Sequence, residues 1–276
     1  IISDYNTFQK GYNKNMLMQI CRQYNFPHPA TIDLNSVHIS TIEYSFFPAM
    51  LKPNYTTGGR GMSLVNSKKE LENIYENTKE KYGDCHLQSY VKPGGKQFKV
   101  ELFIDQNGNL VNSSVIHKIR YYPIHAGSSS CNMTIEFNEL EEICYSVLKK
   151  IGWIGFADFD LIEDPQDGII KIMEINPRIP ACIKSAIESG IDYSELIVNA
   201  SLGKPVKPFQ YIPGWKLRHF GFEILWFFRS KNRFNANPSW FHFFDDKLSF
   251  QDFSREDLKP VFFGTIGSIK KLIKKK

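Results

Sequence analysis

Hydrophobic residues recur at two spacings along the chain, and the two spacings alternate in blocks. Spacings of three and four residues predict amphipathic helices over residues 13–25, 67–83, 137–151 and 182–190. Short apolar or alternating runs bounded by turn residues predict strands at 47–52, 63–65, 86–91, 97–104, 110–119, 156–162 and 169–176. This order of elements indicates an α+β or α/β fold.

A glycine-rich turn separates the first two strands, in the stretch MLKPNYTTGGRGM at residues 50–62. Gly58, Gly59 and Gly61 let the backbone turn tightly and bring N–H groups close to an anion. Lys52 adds a positive charge that phosphate oxygens accept. The stretch fits neither GxxxxGK[ST] nor GxGxxG. Taken alone, it is read equally well as a polar hairpin turn with a solvated lysine.

Paired strands near residue 165 carry a second candidate site. Asp158 and Asp160 share one face of the strand FADFDLI, and Glu174 and Asn176 share one face of the strand IIKIMEIN. A hairpin sets these faces side by side and supplies the hard oxygen donors that Mg²⁺ prefers. A solvent-exposed acidic face is the alternative. Arg178 favours the metal site, because an arginine there suits a charged, multi-oxygen transition state.

The composition of the chain narrows the classes of function and partner that we expect. The 276 residues are 42% apolar and 23% charged, as in globular proteins. The net charge of +5 arises from the last seven residues, KKLIKKK, so the balanced remainder predicts no nucleic-acid partner. No apolar segment is long enough for a membrane span. The five scattered cysteines indicate a reducing compartment, and we expect a cytoplasmic protein.

Together these motifs resemble those of the ATP-grasp superfamily. The resemblance rests on Lys52 before the glycine-rich hairpin, on QSYV followed by PGGKQFKV, and on DFD paired with MEINPR. It spans residues 10–205 and is strongest to the ATP-grasp half-domains of carbamoyl-phosphate synthase large chains and related carboxylate–amine ligases. The implied fold is α+β, with two subdomains that clamp ATP between them. The predicted units are 1–90 with the glycine-rich flap, 91–205 with the magnesium site, and a C-terminal accessory region at 206–276.

The resemblance also implies which residues bind ATP. Lys52 matches the lysine that contacts the nucleotide phosphates, and the glycine loop matches the flap that closes over the triphosphate. Lys14 matches a second basic residue at the start of the domain. Backbone groups of Tyr90 and Val91 match the hinge that meets adenine. The predicted nucleotide-binding residues are Lys14, Lys52, Thr57, Gly58, Gly59, Gly61, Gln88, Tyr90, Val91 and Gln97. Gln97 departs from the family, in which a glutamate often binds the ribose.

Metal and catalytic positions follow from the same resemblance. The predicted magnesium ligands are Asp160, Glu174 and Asn176, with two ions expected and Mn²⁺ as an alternative. Whether Asp158 or Asp160 is the first ligand stays open. The predicted catalytic residues are Lys52, Arg120 and Arg178. His117, Lys118 and the loop HAGSSS at 125–130 fall where relatives bind the carboxylate substrate and phosphate.

The implied function is an ATP-dependent ligase that converts a carboxylate to an acyl phosphate and passes it to an amine, releasing ADP and phosphate. Small-molecule carboxylates and amines are the expected partners. One alternative is a carbamoyl-phosphate synthase-like subunit that phosphorylates bicarbonate or carbamate, and another is a non-catalytic ATP-binding module. Because the chain begins at Ile1 without methionine, an N-terminal lobe or partner subunit missing from this chain is also left open.

Overall fold

The computed structural model describes residues 1–124 and 127–274, apart from the side chains of residues 268, 269 and 271–274. The described helices are α1 (Tyr5–Tyr12), α2 (Lys14–Gln23), α3 (Lys68–Tyr82), α4 (Asn138–Ile151), α5 (Lys184–Glu188), α6 (Tyr193–Ser201), α7 (Phe220–Arg229) and α8 (Lys259–Lys274). The described strands are β1 (Thr31–Asp33), β2 (Ala49–Pro53), β3 (Ser63–Val65), β4 (Cys85–Ser89), β5 (Gln97–Ile104), β6 (Leu110–Tyr122), β7 (Ser128–Ile135), β8 (Gly155–Glu163), β9 (Ile170–Asn176), β10 (Lys216–Arg218) and β11 (Leu248–Phe250).

The strands form two sheets. The first sheet has the order β1-β4-β2-β3, and the second has the order β11-β10-β7-β6-β5-β8-β9. Neighbouring strands are antiparallel except for the short pair β10 and β11. Antiparallel sheets with helices packed against them are α+β architecture, and the predicted fold class is confirmed.

Each sheet has a hydrophobic core of its own. Leu51, Val65 and Leu87 of the first sheet pack against Leu71 and Tyr75 of α3. One face of the second sheet packs against α4, while its other face packs against residues of α5 and α6. Two separate cores are what a two-lobed clamp requires, because each lobe must be stable while the cleft between them opens.

The first two helices pack on the second sheet, although the sequence analysis assigned residues 1–90 to the first lobe. Leu17, Met18 and Cys21 of α2 share the core that contains Val100 and Phe159. The amphipathic face of α2 is therefore buried against strands that lie far along the chain. Hydrophobic spacing predicts that such a face is buried, but it cannot tell which sheet buries it.

Several predicted elements agree closely with the observed ones. The helix predicted between Ser67 and Gly83 is α3, and the Ser67 hydroxyl accepts a hydrogen bond from the Glu70 N–H at 3.2 Å. Gly83 ends the helix with φ +81°. Helix α1 has no counterpart among the predicted elements, although Tyr5, Phe8 and Tyr12 recur in it at helical spacing. Its start is fixed by Asp4, whose carboxylate accepts from two backbone N–H groups.

The region predicted to be accessory extends the second sheet. Strand β10 pairs with β7, and β11 pairs with β10. Helix α7 packs over β6 and β7. The N-cap of α7, His219, accepts from the Phe222 N–H at 3.4 Å. Residues 206–276 are thus continuous with the sheet that carries the predicted magnesium ligands.

The five cysteines lie in the interior of the protein. All five cysteines are buried and free, and burial raises the pKa of Cys21 to about 12 and that of Cys85 to about 11. They behave as small apolar residues rather than as reactive thiols. In the described part of the chain, no helix has the length and apolar composition that crossing a membrane requires.

Candidate active site

Strands β8 and β9 bring the predicted metal ligands together. Their register pairs Asp160 with Glu174 and Asp158 with Asn176, so the four side chains project from the same face of the hairpin. The Asn176 amide donates a hydrogen bond of 2.9 Å to Asp160 Oδ2. The predicted pairing of the two strands is confirmed, while the metal-binding role of these residues stays a prediction.

A lysine that the sequence analysis overlooked lies between the two aspartates. Lys99 is paired with Asp160 in the ladder of β5 and β8. Its Nζ donates to both oxygens of Asp158 at 2.7 and 2.8 Å and to Asp160 Oδ1 at 3.2 Å. Burial opposes its charge, yet Asp160 and Asp158 raise the pKa of Lys99 well above its usual value. Lys99 is a permanently charged partner of these carboxylates.

The alternation of side chains along β5 is the sequence feature that identifies Lys99. Phe98, Val100 and Leu102 lie in the core, so Lys99 falls on the opposite face of β5. That face is continuous with the one that carries Asp158 and Asp160 once β5 and β8 are paired. The pairing of strands so distant in sequence cannot be read from β5 alone, which is why the lysine was missed.

The contacts of Lys99 distinguish the two aspartates. The Asp158 side chain is 1% exposed, both of its oxygens are bound by Lys99, and burial raises its pKa to about 7. The Asp160 side chain is 26% exposed. Burial favours its neutral form, but Lys99 and Lys118 hold the pKa of Asp160 below its usual value. An ionised and partly exposed carboxylate suits a cation, so these contacts favour Asp160 over Asp158 as the ligand.

The predicted phosphate lysines lie close to these carboxylates. Lys14, the first residue of α2, donates to the Thr56 carbonyl at 2.6 Å and forms an ion pair of 3.2 Å with Glu174 Oε2. One side chain therefore connects the glycine-rich loop to the second sheet. Lys52 is buried on β2, and its Nζ donates to Gln88 Oε1 at 2.5 Å.

Lys52 carries a charge that the protein destabilises. Burial lowers the pKa of Lys52 to about 8, the nearby positive charge of Lys14 adds to this effect, and Glu174 opposes it. On β4, burial together with the positive charges of Lys52 and Lys14 lowers the pKa of His86 to about 3. The neutral His86 ring is held by Asn54 through a 2.8 Å contact to Nδ1. An anion beside Lys52 would relieve the repulsion between the two lysines.

The glycine-rich loop connects β2 and β3, which form the predicted hairpin. Gly58, Gly59 and Gly61 have φ of +65°, +71° and +72°, a conformation that favours glycine. A Cβ at Gly61 would lie 2.7 Å from the Tyr82 ring, whereas Gly58 and Gly59 face open space. Thr57 accepts from the Arg60 guanidinium at its carbonyl and its hydroxyl. The loop is therefore anchored at Gly61 and open at its tip, as expected for a flap.

The predicted adenine hinge follows the end of β4. The Gln88 side chain is buried there, where it accepts from Lys52, so its predicted contact with the nucleotide needs this bond to change. The Tyr90 N–H donates to the Pro48 carbonyl at 3.3 Å, so this hydrogen bond already uses one of the predicted hinge donors. Val91 is half-buried beside it, and Gln97 begins β5 opposite Lys118.

Arg120 occupies a different environment from the one that its predicted catalytic role requires. Its Nε and Nη2 donate to the Glu223 carboxylate at 3.0 and 2.6 Å, and its Nη1 donates to the Pro238 carbonyl at 2.7 Å. Arg218 binds the same carboxylate. Arg120 is 3% exposed and fully engaged, so the structure gives it the role of joining β6 to α7. Sequence reasoning could not pair residues 103 positions apart.

The remaining predicted substrate residues are placed as follows. Arg178 is exposed and follows β9 directly. His117 and Lys118 are half-buried on β6, and burial lowers the pKa of both side chains. Of the predicted loop at 125–130, His125 and Ala126 lie outside the described residues, and Ser128 begins β7. Two cavities of about 360 and 370 Å³ are lined by other residues and include none of the predicted site.

The donor set fits Mg²⁺ in part. Asp160, Glu174 and Asn176 offer hard oxygen atoms from two rigid, paired strands. Among the described residues, however, no group of three or more His, Cys, Asp or Glu side chains is arranged to hold a metal by itself. Mg²⁺ bound by one or two carboxylates together with substrate phosphates needs no such group. The site is therefore suited to a metal that arrives with a nucleotide.

A comparison with known protein families decides the assignment. The family model of the carbamoyl-phosphate synthase L chain, ATP binding domain, matches residues 28–204, which is more than half of the chain. The chain belongs to this family. The predicted ATP-grasp membership is confirmed. ATP is the nucleotide that the family's description names.

Solved structures share the fold of this ATP-binding domain at low sequence identity. Biotin carboxylase from Campylobacter jejuni is 18% identical with a TM-score of 0.64, over 75% of this chain and 50% of that chain. The biotin carboxylase domain of 2-oxoglutarate carboxylase from Hydrogenobacter thermophilus, solved with MgADP, ADP and bicarbonate, is 18% identical with a TM-score of 0.63, over 74% and 49%. D-alanine–D-alanine ligase from Bacillus anthracis is 23% identical with a TM-score of 0.55, over 73% and 71%. The chain spans about half the length of both carboxylase chains.

Proposed function

We propose that this ATP-binding domain is the catalytic part of an ATP- and Mg²⁺-dependent ligase that activates a carboxylate as an acyl phosphate and transfers the acyl group to an amine. The observation that supports the proposal is the position of Lys14, which contacts the Thr56 carbonyl of the glycine-rich loop and Glu174 on the β8–β9 hairpin, where Glu174 is paired with Asp160. Lysines beside a glycine-rich flap bind phosphates, and carboxylates on a rigid hairpin hold the ion that accompanies them.

Residues of the first sheet would bind the triphosphate. Lys52 has no carboxylate within ion-pair distance in the described structure, and its Nζ donates to the neutral Gln88 amide instead. A phosphate oxygen is a better partner than an amide for a charged lysine, because charge-assisted hydrogen bonds are about twice as strong as neutral ones. Lys14 would exchange its contact with the Thr56 carbonyl for the phosphates as the flap closes. Closure excludes water, so that the amine attacks the acyl phosphate.

Residues of the second sheet would hold Mg²⁺ and orient the transferred group. Asp160, Glu174 and Asn176 would hold the metal, which supplies charge neutralisation for the phosphoryl group when bound. Lys99 would keep Asp158 away from the ion and keep Asp160 ionised. The exposed Arg178 would then stabilise the negative charge that develops on the carboxylate and phosphoryl oxygens.

One alternative has support of its own. The family is named for carbamoyl-phosphate synthase, and one structural neighbour was solved with bicarbonate. A subunit that phosphorylates bicarbonate or carbamate would use the same cleft with a smaller acceptor. The two functions differ only in what occupies the space beside Arg178.

Phosphate release from MgATP tests the proposal. We expect release only when a pool of carboxylates and a pool of amino acids are present together. Release with bicarbonate and ammonium instead would favour the carbamoyl-phosphate alternative. ATP binding without release under any of these conditions would contradict the catalytic proposal and favour a nucleotide-binding module.

The variant Glu174→Gln sharpens this assay. It keeps the size of the side chain and removes the charge, so we expect phosphate release to be abolished, while loss of the ion pair with Lys14 lowers the midpoint of urea unfolding without unfolding the protein. Asp167→Asn, in the β8–β9 turn, is the matched control and should keep full activity. Unfolding of the Glu174→Gln variant would show that the glutamate serves the fold.

A further inference from the structure

Exposed phenylalanines gather on α7, on α8 and on the segment between them. Phe228, Phe234 and Phe241 are 65%, 68% and 56% exposed, and Phe262 and Phe263 are 62% and 65% exposed. Helix α7, which carries Phe228, packs against α8, which carries Phe262 and Phe263. We call Phe228, Phe234 and Phe241 the aromatic face. Single exposed apolar residues are ordinary, whereas clustered ones mark an interaction surface.

Three of the five rings form one packed cluster around Phe227. The Phe227 ring centroid lies 5.8 Å from that of Phe228, 5.7 Å from that of Phe234 and 5.8 Å from that of Phe241. Phe234 and Phe241 also stack on each other, with 6.3 Å between centroids and 15° between planes. Trp240 supports the cluster from 4.4 Å. The exposed rings therefore form a preorganised apolar projection rather than independent mobile side chains.

The C-terminal part of the sequence, which carries this projection, is rich in basic residues. Residues 206–276 contain 14 Lys and Arg against 6 Asp and Glu, a net charge of +8, whereas residues 1–205 contain 20 against 23, a net charge of −3. Arg229 and Lys231 are exposed directly after Phe228. The Arg233 guanidinium lies 5.5 Å from the Phe234 ring. Phe244 is left out of the aromatic face because two aspartates follow it in the sequence, of which Asp245 is paired with Lys216.

We propose that the aromatic face docks this chain on the surface of an anionic lipid bilayer. Aromatic side chains partition into the interface of a bilayer, and Lys and Arg side chains near an anionic leaflet are attracted to it. The net charge of +8 in residues 206–276, against −3 in residues 1–205, favours an orientation with the aromatic face toward the lipid. Docking of this kind needs no membrane-spanning helix.

The same features argue against single-stranded nucleic acid as the occupant. Bases bind by stacking on free ring faces. Here Phe234 and Phe241 stack on each other, and the Arg233 guanidinium lies over Phe227 and Phe234. The cluster presents apolar side chains that can partition into a bilayer interface, but it leaves few ring faces free to stack with bases.

Sedimentation of the full chain with lipid vesicles tests the proposal. We expect binding to phosphatidylcholine vesicles that contain phosphatidylserine, weaker binding at high salt, and little binding to phosphatidylcholine alone. The double variant Phe234→Ser/Phe241→Ser should lower the bound fraction about tenfold, because it removes two interfacial side chains. Its circular dichroism and urea unfolding midpoint should match those of the unchanged protein, since both rings are already exposed.

Tyr44→Ser is the matched control, because Tyr44 is 79% exposed on the other lobe. It should leave vesicle binding unchanged. Three results would overturn the proposal: equal binding to neutral and anionic vesicles, binding of oligothymidylate without binding of vesicles, or self-association in size-exclusion chromatography that the double variant abolishes while vesicles do not bind. The last result would assign the aromatic face to a second copy of the chain.

Discussion

Each of the two sheets carries a lysine with little solvent exposure, and the two lysines have opposite surroundings. Lys99 of the second sheet contacts two carboxylates, which raise its pKa well above the usual value. Lys52 of the first sheet contacts a neutral amide, and burial lowers its pKa to about 8. The charge of Lys99 is therefore compensated within the folded protein, whereas Lys52 has no carboxylate within ion-pair distance among the described residues, and an incoming anion would compensate its charge.

This difference identifies which lysine serves the ligand. A buried charge that is already paired contributes to the stability of the protein, and removing it leaves its partner uncompensated. A buried charge without an ionic partner costs stability, and its retention is most readily explained by function. Variants that remove the two lysines should therefore have opposite consequences for stability and for nucleotide binding.

The largest effect is expected for Lys99→Met. It leaves Asp158 buried without its charged partner, and we expect a loss of about 3–5 kcal/mol in the free energy of unfolding. Urea denaturation measures the loss. The double variant Lys99→Met/Asp158→Asn should recover most of it.

Lys216→Met is the control for this prediction. Lys216 pairs with Asp245 on the same sheet, but both side chains are about one-quarter exposed. We expect a loss of at most about 1 kcal/mol there. Equal losses for Lys99→Met and Lys216→Met would refute the distinction between the two lysines.

The variant Lys52→Met should have the opposite signature. We expect the free energy of unfolding to change by less than about 1.5 kcal/mol, because the cost of an unpartnered Gln88 offsets the gain from removing a buried charge. ATP affinity should fall by roughly 10- to 100-fold, as one charge-assisted hydrogen bond is worth about 1.5–3 kcal/mol. Calorimetric titration with ATP measures this, and unchanged affinity would assign Lys52 to the fold.

A further prediction concerns pH. Lys52 has a pKa of about 8 in the folded chain and 10.5 as its usual value, so the unfolded chain binds this proton more tightly. The protein should therefore gain stability relative to Lys52→Met as pH rises from 8 toward 10.5, while wild-type affinity for ATP declines. Parallel stability profiles for the two proteins over this range would contradict the lowered pKa.

The structural elements that depend on local sequence could be predicted. Helix α3 has its cap, its stop and its apolar face within 17 residues, and the pairing of β8 with β9 follows from one turn and strand alternation. Lys99, the Lys14–Glu174 ion pair and the Arg120–Glu223 pair join residues 59, 160 and 103 positions apart. Such contacts depend on strand order and lobe packing, which hydrophobic patterns do not encode.

The accessory region shows the same limit. Its short strands β10 and β11 have three residues each, too few for alternation to be recognised. They are held in the second sheet by pairing with β7, whose position depends on the whole sheet. The family resemblance ended where this region begins, so neither source of prediction described it.

The dependence of nucleotide binding on Mg²⁺ tests the central claim most directly, because it requires no knowledge of the carboxylate or the amine. Calorimetric titration would compare ATP affinity with Mg²⁺ and with a chelator, for the unchanged protein and for Glu174→Gln. We predict about tenfold or greater tightening by Mg²⁺, because an added ion compensates phosphate charge at the paired carboxylates, and loss of this tightening in a folded Glu174→Gln variant. Equal affinities with and without Mg²⁺, or a Glu174→Gln variant that keeps the full response, would contradict the assignment of Asp160, Glu174 and Asn176 to the metal.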